Sequence, residues 1–283
     1  MKNVVTVGGG TGSYGVLAGL KNLPDISISA IVSMADDGGT NGMLRKELGV
    51  LPPSDIRQCL VALSDSDELM NKFMRSRFTE GPLAGHSAGS IFLTGLEKIT
   101  GNFSGAIKEA SKILKIKAMV IPVSLDNAEL SALLTTGQKV EGESKVSNID
   151  LKISDVKKIF YKNKVELNPT AREAILKADY IIICPGDFYT SIVPNLIVSG
   201  FKETLARSKA KIIAVENLNK SDKEYRSKLE FYLGKPIDNF VQSDKSLISK
   251  ESIVKDPADT IERSTIRHDP QKLVERIKRI INK

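Results

Sequence analysis

Apolar positions along the chain gather in short unbroken runs, separated by breaks rich in glycine, proline and polar residues. Asn3–Val7 is such a run. It is too short for a helix and continuous rather than alternating, which predicts a strand buried on both faces. The pattern that follows predicts a helix over Gly12–Lys21, ending before Pro24, and then a second strand over Ile26–Met34. A polar glycine loop and a short helix come next. The break at Pro52 and Pro53 predicts a helix over Asp55–Leu63 with Ser54 as its N-cap.

Helices are further predicted from about Ala88 to Ile99 and over Gly105–Leu114. Alternating runs around Gly137 and Gly142 predict an antiparallel β excursion over about 119–160. Strand–helix order then resumes with a helix over Thr170–Lys177, a strand in "DYIIIC", and a helix covering much of Phe188–Gly200 that Pro194 should kink. Strands in "AKIIAVEN" and "IDNFVQ" and a helix over Lys272–Lys283 complete the series. Strands alternating with helices predict an α/β fold whose mostly parallel sheet is covered on both faces. Without repeats or low-complexity linkers, one domain over residues 1–283 carrying a small β insertion is expected.

Composition changes this picture little. The 283 residues are 41% hydrophobic, as in a protein with a real core. No apolar run reaches the roughly 18 residues of a membrane span, and Gly8 interrupts the apolar start, so a cytoplasmic protein is expected. The net charge of +7 invites a nucleic-acid reading, but aromatics are 5% and tryptophan is absent, which leaves few stacking platforms. A cleft for an anionic small molecule fits the mild positive excess better. Cys59 and Cys184 show no metal or redox spacing and are expected to be buried as small hydrophobes.

Three junctions carry candidate chemistry. Gly10, Gly12 and Gly15 have the G-x-G-x-x-G spacing of a phosphate-binding loop between a strand and a helix. Gly9, Gly10, Thr11 and Gly12 would let the backbone approach a phosphate at the helix N-terminus; a ligand-free tight turn is the bland reading. Asp36 and Asp37 fall where such folds bind a ribose hydroxyl, but Gly38 and Gly39 follow them. That pairing suits a sugar, a phosphate with its cation, a nucleotide edge, or an ordinary strand-exit turn. Asp55 fits either a site role or a first-turn carboxylate favoured by the helix dipole.

The second junction, Cys184–Ser191, offers Pro185 and Gly186 for a turn and Asp187, Thr190 and Ser191 at a helix start. The third, "GHSAG" (Gly85–Gly89), matches a nucleophile elbow with Ser87 as nucleophile and His268 downstream. No buried strand is predicted before it, so His86, Ser87 and Ser90 are expected to cap a helix and contact a ligand there. Near the end, Arg267 could reach a phosphate with its fork of donors, just before a helix capped by Asp269 with Pro270 at its first position.

Taken together and in order, "GGGTGSYGVLAGLK", "ADDGGTNGMLRKELGVLPPSDIRQCLVAL", "GHSAGS", "VEGES", "ADYIIICPGDFYTSIVPNL" and "IRHDPQKL" resemble the gluconeogenesis factor, or YvcK-like, family of the CofD-like superfamily. The resemblance spans nearly the whole chain. It implies a Rossmann-like three-layer α/β/α protein that binds UDP-sugars such as UDP-N-acetylglucosamine. It further implies a regulator that supports growth on gluconeogenic carbon sources, cell shape and cell-wall precursor supply. Ligand roles for Asn195 and Asn217 follow from the same motifs. The family reads PPGD where this chain has Ser54, GN at Gly89–Ser90, and GPGS at Cys184–Asp187, so Asp187 is expected to add a negative charge beside a diphosphate. The threonine- and glycine-rich loop expected after Asn217 is replaced by "LNKSDKEYRSK".

The superfamily's enzymatic branch, the magnesium-dependent 2-phospho-L-lactate transferases, is the alternative. Its second motif arranges the acidic pair differently and continues into a histidine-glycine-leucine segment, which this chain lacks. No catalytic residue and no required cofactor is therefore expected, with Mg2+ the cation left open. An NAD-binding protein is a less favoured reading, since loop physics does not separate one diphosphate from another. No nucleic acid is expected as a partner, while a homo-oligomer and a regulatory protein partner are left open.

Overall fold

The computed structural model describes residues 1–149, 155–217, 224–243, 245–248 and 268–282. Its centre is a six-stranded parallel sheet of spatial order β3-β2-β1-β7-β8-β9. The strands are β1 (Lys2–Gly8), β2 (Ile26–Val32), β3 (Met119–Pro122), β7 (Tyr180–Ile183), β8 (Lys211–Val215) and β9 (Asn239–Val241). Val4, Val7, Ile31, Ile182 and Ile213 are fully buried, as expected where helices cover both faces of a parallel sheet. Each such side chain stabilises the fold by about 1.5–3 kcal/mol relative to leaving it in water.

One face carries α1 (Gly10–Leu20), which packs against α3 (Ser54–Leu63) and α12 (Pro270–Ile281). The crossing with α12 is close: a side chain at Gly19 would fall 2.5 Å from the Pro270 carbonyl oxygen. The helices α8 (Pro169–Lys177), α10 (Phe201–Arg207) and α11 (Tyr225–Leu233) pack in sequence on one another elsewhere on the sheet. Between β2 and β3 run α2 (Gly39–Leu48), α4 (Glu68–Arg75), α5 (Ala88–Thr100) and α6 (Phe103–Ile113). A three-stranded antiparallel sheet of order β5-β4-β6 is inserted between β3 and β7. It comprises β4 (Leu130–Leu134), β5 (Lys139–Glu141) and β6 (Val156–Tyr161), with a one-turn helix α7 (Glu143–Ser147).

Several sequence expectations need correction. The excursion predicted from residue 119 begins later, because Met119–Pro122 pairs parallel with β2. Ser54 lies inside α3, whose cap position is Pro53; the Ser54 amide and hydroxyl both donate to Asn41 Oδ1, at 3.1 and 2.7 Å. The helix expected over Phe188–Gly200 is a π-turn at Phe188–Ile192 followed by α9 (Val193–Leu196). Pro194 sits at the start of α9, where its missing donor costs least. The strand predicted to Met34 ends at Val32, and α4, α10 and α11 were not anticipated. Asp269 caps α12 by accepting from the Gln271 and Lys272 amides, as the sequence predicts. Cys59 and Cys184 are buried free thiols, and burial pushes the Cys184 thiol up to about 12.

Candidate functional site

The chain leaves β1 toward β2 and β3 on one side, then returns to place β7 on the other. Loops leaving β1 and β7 therefore diverge at a topological switch point, where open α/β sheets bind ligands. Register puts the strand exits level, with Val7 opposite Ile183 and Gly8 opposite Val32. The Cys184 amide donates to Val7 O at 2.9 Å and the Ser33 amide to Gly8 O at 3.0 Å, tying the three exits together.

Here the two glycine junctions meet. A side chain at Gly12 would lie 1.6 Å from the Pro185 carbonyl oxygen, and one at Gly9 about 3.0 Å from both Ser191 Cβ and Asp55 Oδ2. At Gly10 a side chain would strike Asp55 Oδ1 at 2.6 Å. These glycines are required by close approach. Buried Asn195 clamps the junction from below, its amide nitrogen donating to Ser191 O at 2.9 Å and to Gly8 O at 3.4 Å. Asn217 donates to Gly186 O at 3.2 Å, which brings the end of β8 to the same place. Thr11 remains exposed and donates to Gln58 Oε1 at 2.8 Å. The N-cap residues of α1 and α2 are Gly9 and Gly38, which have no side chain to cap with, and neither helix has an acidic residue in its own first turn.

A carboxyl cluster borders these helix starts. The Gly38 amide donates to Asp36 Oδ1 at 2.9 Å, and the Gly10 amide faces the Asp55 carboxylate. Burial first, and then the Asp36 charge, push the Asp55 carboxyl up to about 7. Glu143 at the start of α7 is pushed up to about 8, by burial and then by Asp36 and Asp55, although the Thr190 hydroxyl beside it works the other way. Burial raises Asp36 as well, against the Gly38 hydrogen bond. Near neutral pH this cluster holds protons that ordinary carboxylates would release. Among the described residues, no three His, Cys, Asp or Glu side chains are arranged to hold a metal ion together.

Two acidic residues have different employment from the one expected. Asp37 turns to the insertion, where its two oxygens accept the Glu143 amide at 3.0 Å and the Ser144 amide at 2.9 Å. It thereby supplies the N-terminal cap that α7 lacks and holds Glu143 over the cleft. Asp187 is spent on its own turn, accepting from the Tyr189 and Thr190 amides at 3.0 and 3.1 Å and from the Thr190 hydroxyl. Its charge thus caps a helix start rather than standing free beside a diphosphate.

The "GHSAG" stretch forms the outer wall. Ser87 is the N-cap of α5 and accepts from the Ser90 amide at 3.3 Å, while its own amide and His86 Nδ1 lie 3.3 Å from Thr40 Oγ1. Ser90 faces Ser54 at 3.4 Å. No buried strand precedes this turn, and a side chain at Gly89 would meet the Met74 carbonyl oxygen at 2.5 Å, so the second glycine serves a helix crossing. His268 is engaged elsewhere: its Nε2 lies 2.6 Å from Ser243 Oγ, and burial depresses it to about 4. Arg267 lies outside the described residues.

Sequence reasoning missed Glu143 and Asn41. Glu143 stands 106 residues from Asp37, in an insertion whose return to the cleft only the fold reveals. Asn41 is buried; its oxygen takes Ser54, while its amide nitrogen faces the Asp36 carboxylate and works against the rise that burial causes there. The acidic residue directly after Gly142, a glycine with φ +101°, was the available signal.

Comparison with known proteins agrees with this architecture. The family model described as 2-phospho-L-lactate transferase CofD matches residues 4–282. A Thermotoga maritima protein is 38% identical over 314 residues, covering 98% of this chain and 98% of its own length. The Gluconeogenesis factor of Halalkalibacterium halodurans is 44% identical over 220 residues, 77% of this chain and 67% of that protein. A relative from Nostoc is 45% identical over 216 residues, but the match takes in only 47% of it, so the chain spans about half of that protein. A crystal structure of a Bacillus halodurans protein superposes with a TM-score of 0.84 at 31% identity, covering 98% of this chain and 99% of the other. No helix among the described residues is long and apolar enough to cross a membrane. By the family match, the extent of the relatives and the shared fold, the chain belongs to the gluconeogenesis factor family of the CofD-like superfamily.

Proposed function

We propose that the cleft binds the diphosphate of a UDP-sugar, of the UDP-N-acetylglucosamine type, and that the protein acts as a regulator of sugar-nucleotide supply rather than a catalyst. The observation that carries this reading is the pair of helix starts at the strand exits, α1 at Gly9 and α2 at Gly38, whose glycine caps let a ligand approach the backbone. Backbone amides at a helix N-terminus favour an anion, and here the Gly38 and Gly10 amides already face the Asp36 and Asp55 carboxylates, which marks the place where a negative group is held. Carboxylates beside a diphosphate would oppose it, but Asp55 and Glu143, pushed up to about 7 and about 8, keep part of their protons near neutral pH. A protonated carboxyl can donate to a phosphate oxygen, and an ionised Asp36 suits a sugar hydroxyl. In the cell, this regulator would support growth on gluconeogenic carbon sources, cell shape and cell-wall precursor supply.

Calorimetry with UDP-N-acetylglucosamine and with NAD, each with Mg2+ and with EDTA, tests the reading. Saturable binding of the UDP-sugar in both buffers, with the ligand recovered unchanged, is expected. Binding of NAD alone would overturn it. A transferase of the superfamily's enzymatic branch is the second reading, favoured by the family model that spans residues 4–282. Magnesium-dependent consumption of a phosphate-bearing substrate, lost in Asp36→Asn, would select it.

A further inference from the structure

Away from the cleft, a groove of about 740 Å³ runs beside β6, between that strand and the chain from Leu196 to Glu203, with Phe231 and Tyr232 of α11 at one end. Its floor is apolar, formed by Ile159, Val165, Leu196 and Val198, and its rim carries Lys157, Lys158, Lys164 and Lys202 with Glu203; Lys164 is paired with Glu166. Phe231 is 71% exposed at the groove mouth. Lys202 lies 5.5 Å from the centre of its ring and donates to its carbonyl oxygen at 3.2 Å.

The strand lining this groove is an edge. In the order β5-β4-β6, one side of β6 has no strand partner among the described residues. The Lys162 amide donates to Glu129 O at 3.0 Å on the β4 side. By alternation, Lys158 and Phe160 pair with Leu133 and Ser131, whereas Ile159 and Tyr161 turn their backbone groups toward the groove. The Ile159 amide is taken there by the Tyr232 hydroxyl, which an added strand would displace.

We propose that this groove captures an extended acidic peptide segment of a partner protein, which adds as a strand to the open edge of β6. Main-chain hydrogen bonds to Ile159 and Tyr161 would hold it, with apolar side chains of one face entering the floor. Lys157 and Lys158 on the rim select acidic residues on the other face. The same lysines disfavour a second copy of this chain, because two β6 edges laid together would oppose lysine to lysine. A polar, lysine-guarded edge would need no apolar trough beside it, and an exposed phenylalanine at the mouth adds a contact that protection alone does not require.

The test uses the full chain and a fluorescein-labelled eight-residue peptide of alternating valine and glutamate, followed by anisotropy. Three comparison probes are the valine–lysine peptide, the valine–glutamate peptide N-methylated at alternate residues, and phosphatidylserine vesicles. Saturable binding of the acidic peptide is expected, weakened at least tenfold by the Lys157→Glu, Lys158→Glu pair and several-fold by Phe231→Ala. The N-methylated and lysine peptides should bind at least tenfold more weakly. Equal binding of acidic and basic peptides, an undiminished N-methylated peptide, or binding indifferent to the lysine variants would overturn the proposal. Vesicle binding lost in the same variants, without peptide binding, would assign the groove to a membrane surface instead and likewise overturn it. Circular dichroism matched to the parent protein keeps loss of fold distinct from loss of binding.

Discussion

The cleft between β1 and β7 and the groove along β6 hold charge in opposite ways. In the cleft, carboxyl groups sit in partly buried surroundings among helix N-termini, and burial leads the causes that raise Asp36, Asp55 and Glu143. In the groove, lysines stand on an open rim above an apolar floor. Proton uptake governs the first, because desolvation penalises the charged form. Ionic strength governs the second, because exposed charges are screened within about 8 Å at physiological salt. A chain with a formal charge of +7 can thus present an acidic cleft and a basic groove at once, and net charge identifies neither.

The largest expected effect separates the two regions. Gly12→Ala would place a methyl group 1.6 Å from the Pro185 carbonyl oxygen, which is rigid backbone. The loops must part, at a cost of about 3 kcal/mol, and the junction beneath them opens. Urea unfolding should show that loss, and calorimetry should show UDP-sugar binding abolished at a temperature where the variant remains folded. Peptide capture by the groove should persist under the same conditions. A folded Gly12→Ala protein that binds the UDP-sugar normally would break the assignment of the cleft to this junction.

Titration gives the next effect, and its sign can be fixed. Asp55 and Glu143 have folded values of about 7 and about 8, above their ordinary 3.8 and 4.5. Between those limits the folded protein holds protons that the unfolded chain has released, so stability falls as pH rises and levels off above about 8. His268 works in reverse. Its folded value of about 4 lies below 6.5, so it contributes a rise in stability between about pH 4 and 6.5 and nothing above. The window from about pH 6.5 to 8 therefore isolates the carboxyls. Asp55→Asn should be more stable than the parent at pH 8.5 by about 1–3 kcal/mol and gain much less at pH 5. Urea midpoints at the two pH values measure this, and an equal gain at both would remove burial as the cause. UDP-sugar affinity of the parent should fall over the same window as the cluster ionises.

The two regions also differ in how much of them the sequence discloses. Strands β1, β2 and β7 announce themselves, because burial on both faces demands unbroken Val and Ile runs. The glycine loop is equally plain, since its residue type follows from close approach. Asp37 was visible as a residue but not in its task, because its partners at Glu143 and Ser144 arrive from a remote insertion. The helix α4 is amphipathic, but at eight residues with only Met74 buried it is too short to stand out from the turns around it. The groove was illegible for a related reason. Lys157 and Lys158 look like any solvated pair until strand order shows that β6 is an edge and the fold sets Leu196–Glu203 opposite it. Local burial leaves a local pattern; a juxtaposition across the chain does not.

The smallest effect belongs to the stretch that most resembles an active-site motif. Ser87 has 2% of its surface exposed, and its hydroxyl accepts from the Ser90 amide at the start of α5. A nucleophile needs a base within hydrogen-bond reach and an open approach for the substrate. His86 faces Thr40 instead, and His268 is engaged with Ser243. Ser87→Ala should therefore act as loss of a helix cap, destabilising the protein by about 1 kcal/mol. Ser87→Thr, which retains the capping oxygen, should recover much of that loss. Hydrolysis of p-nitrophenyl acetate should be at background in the parent and in both variants, while UDP-sugar affinity changes by less than about threefold. An esterase activity that disappears in Ser87→Ala and is absent from no other cleft variant would place chemistry at the outer wall. The contrast would then no longer lie between a ligand cleft and a peptide groove, but between two halves of the cleft itself.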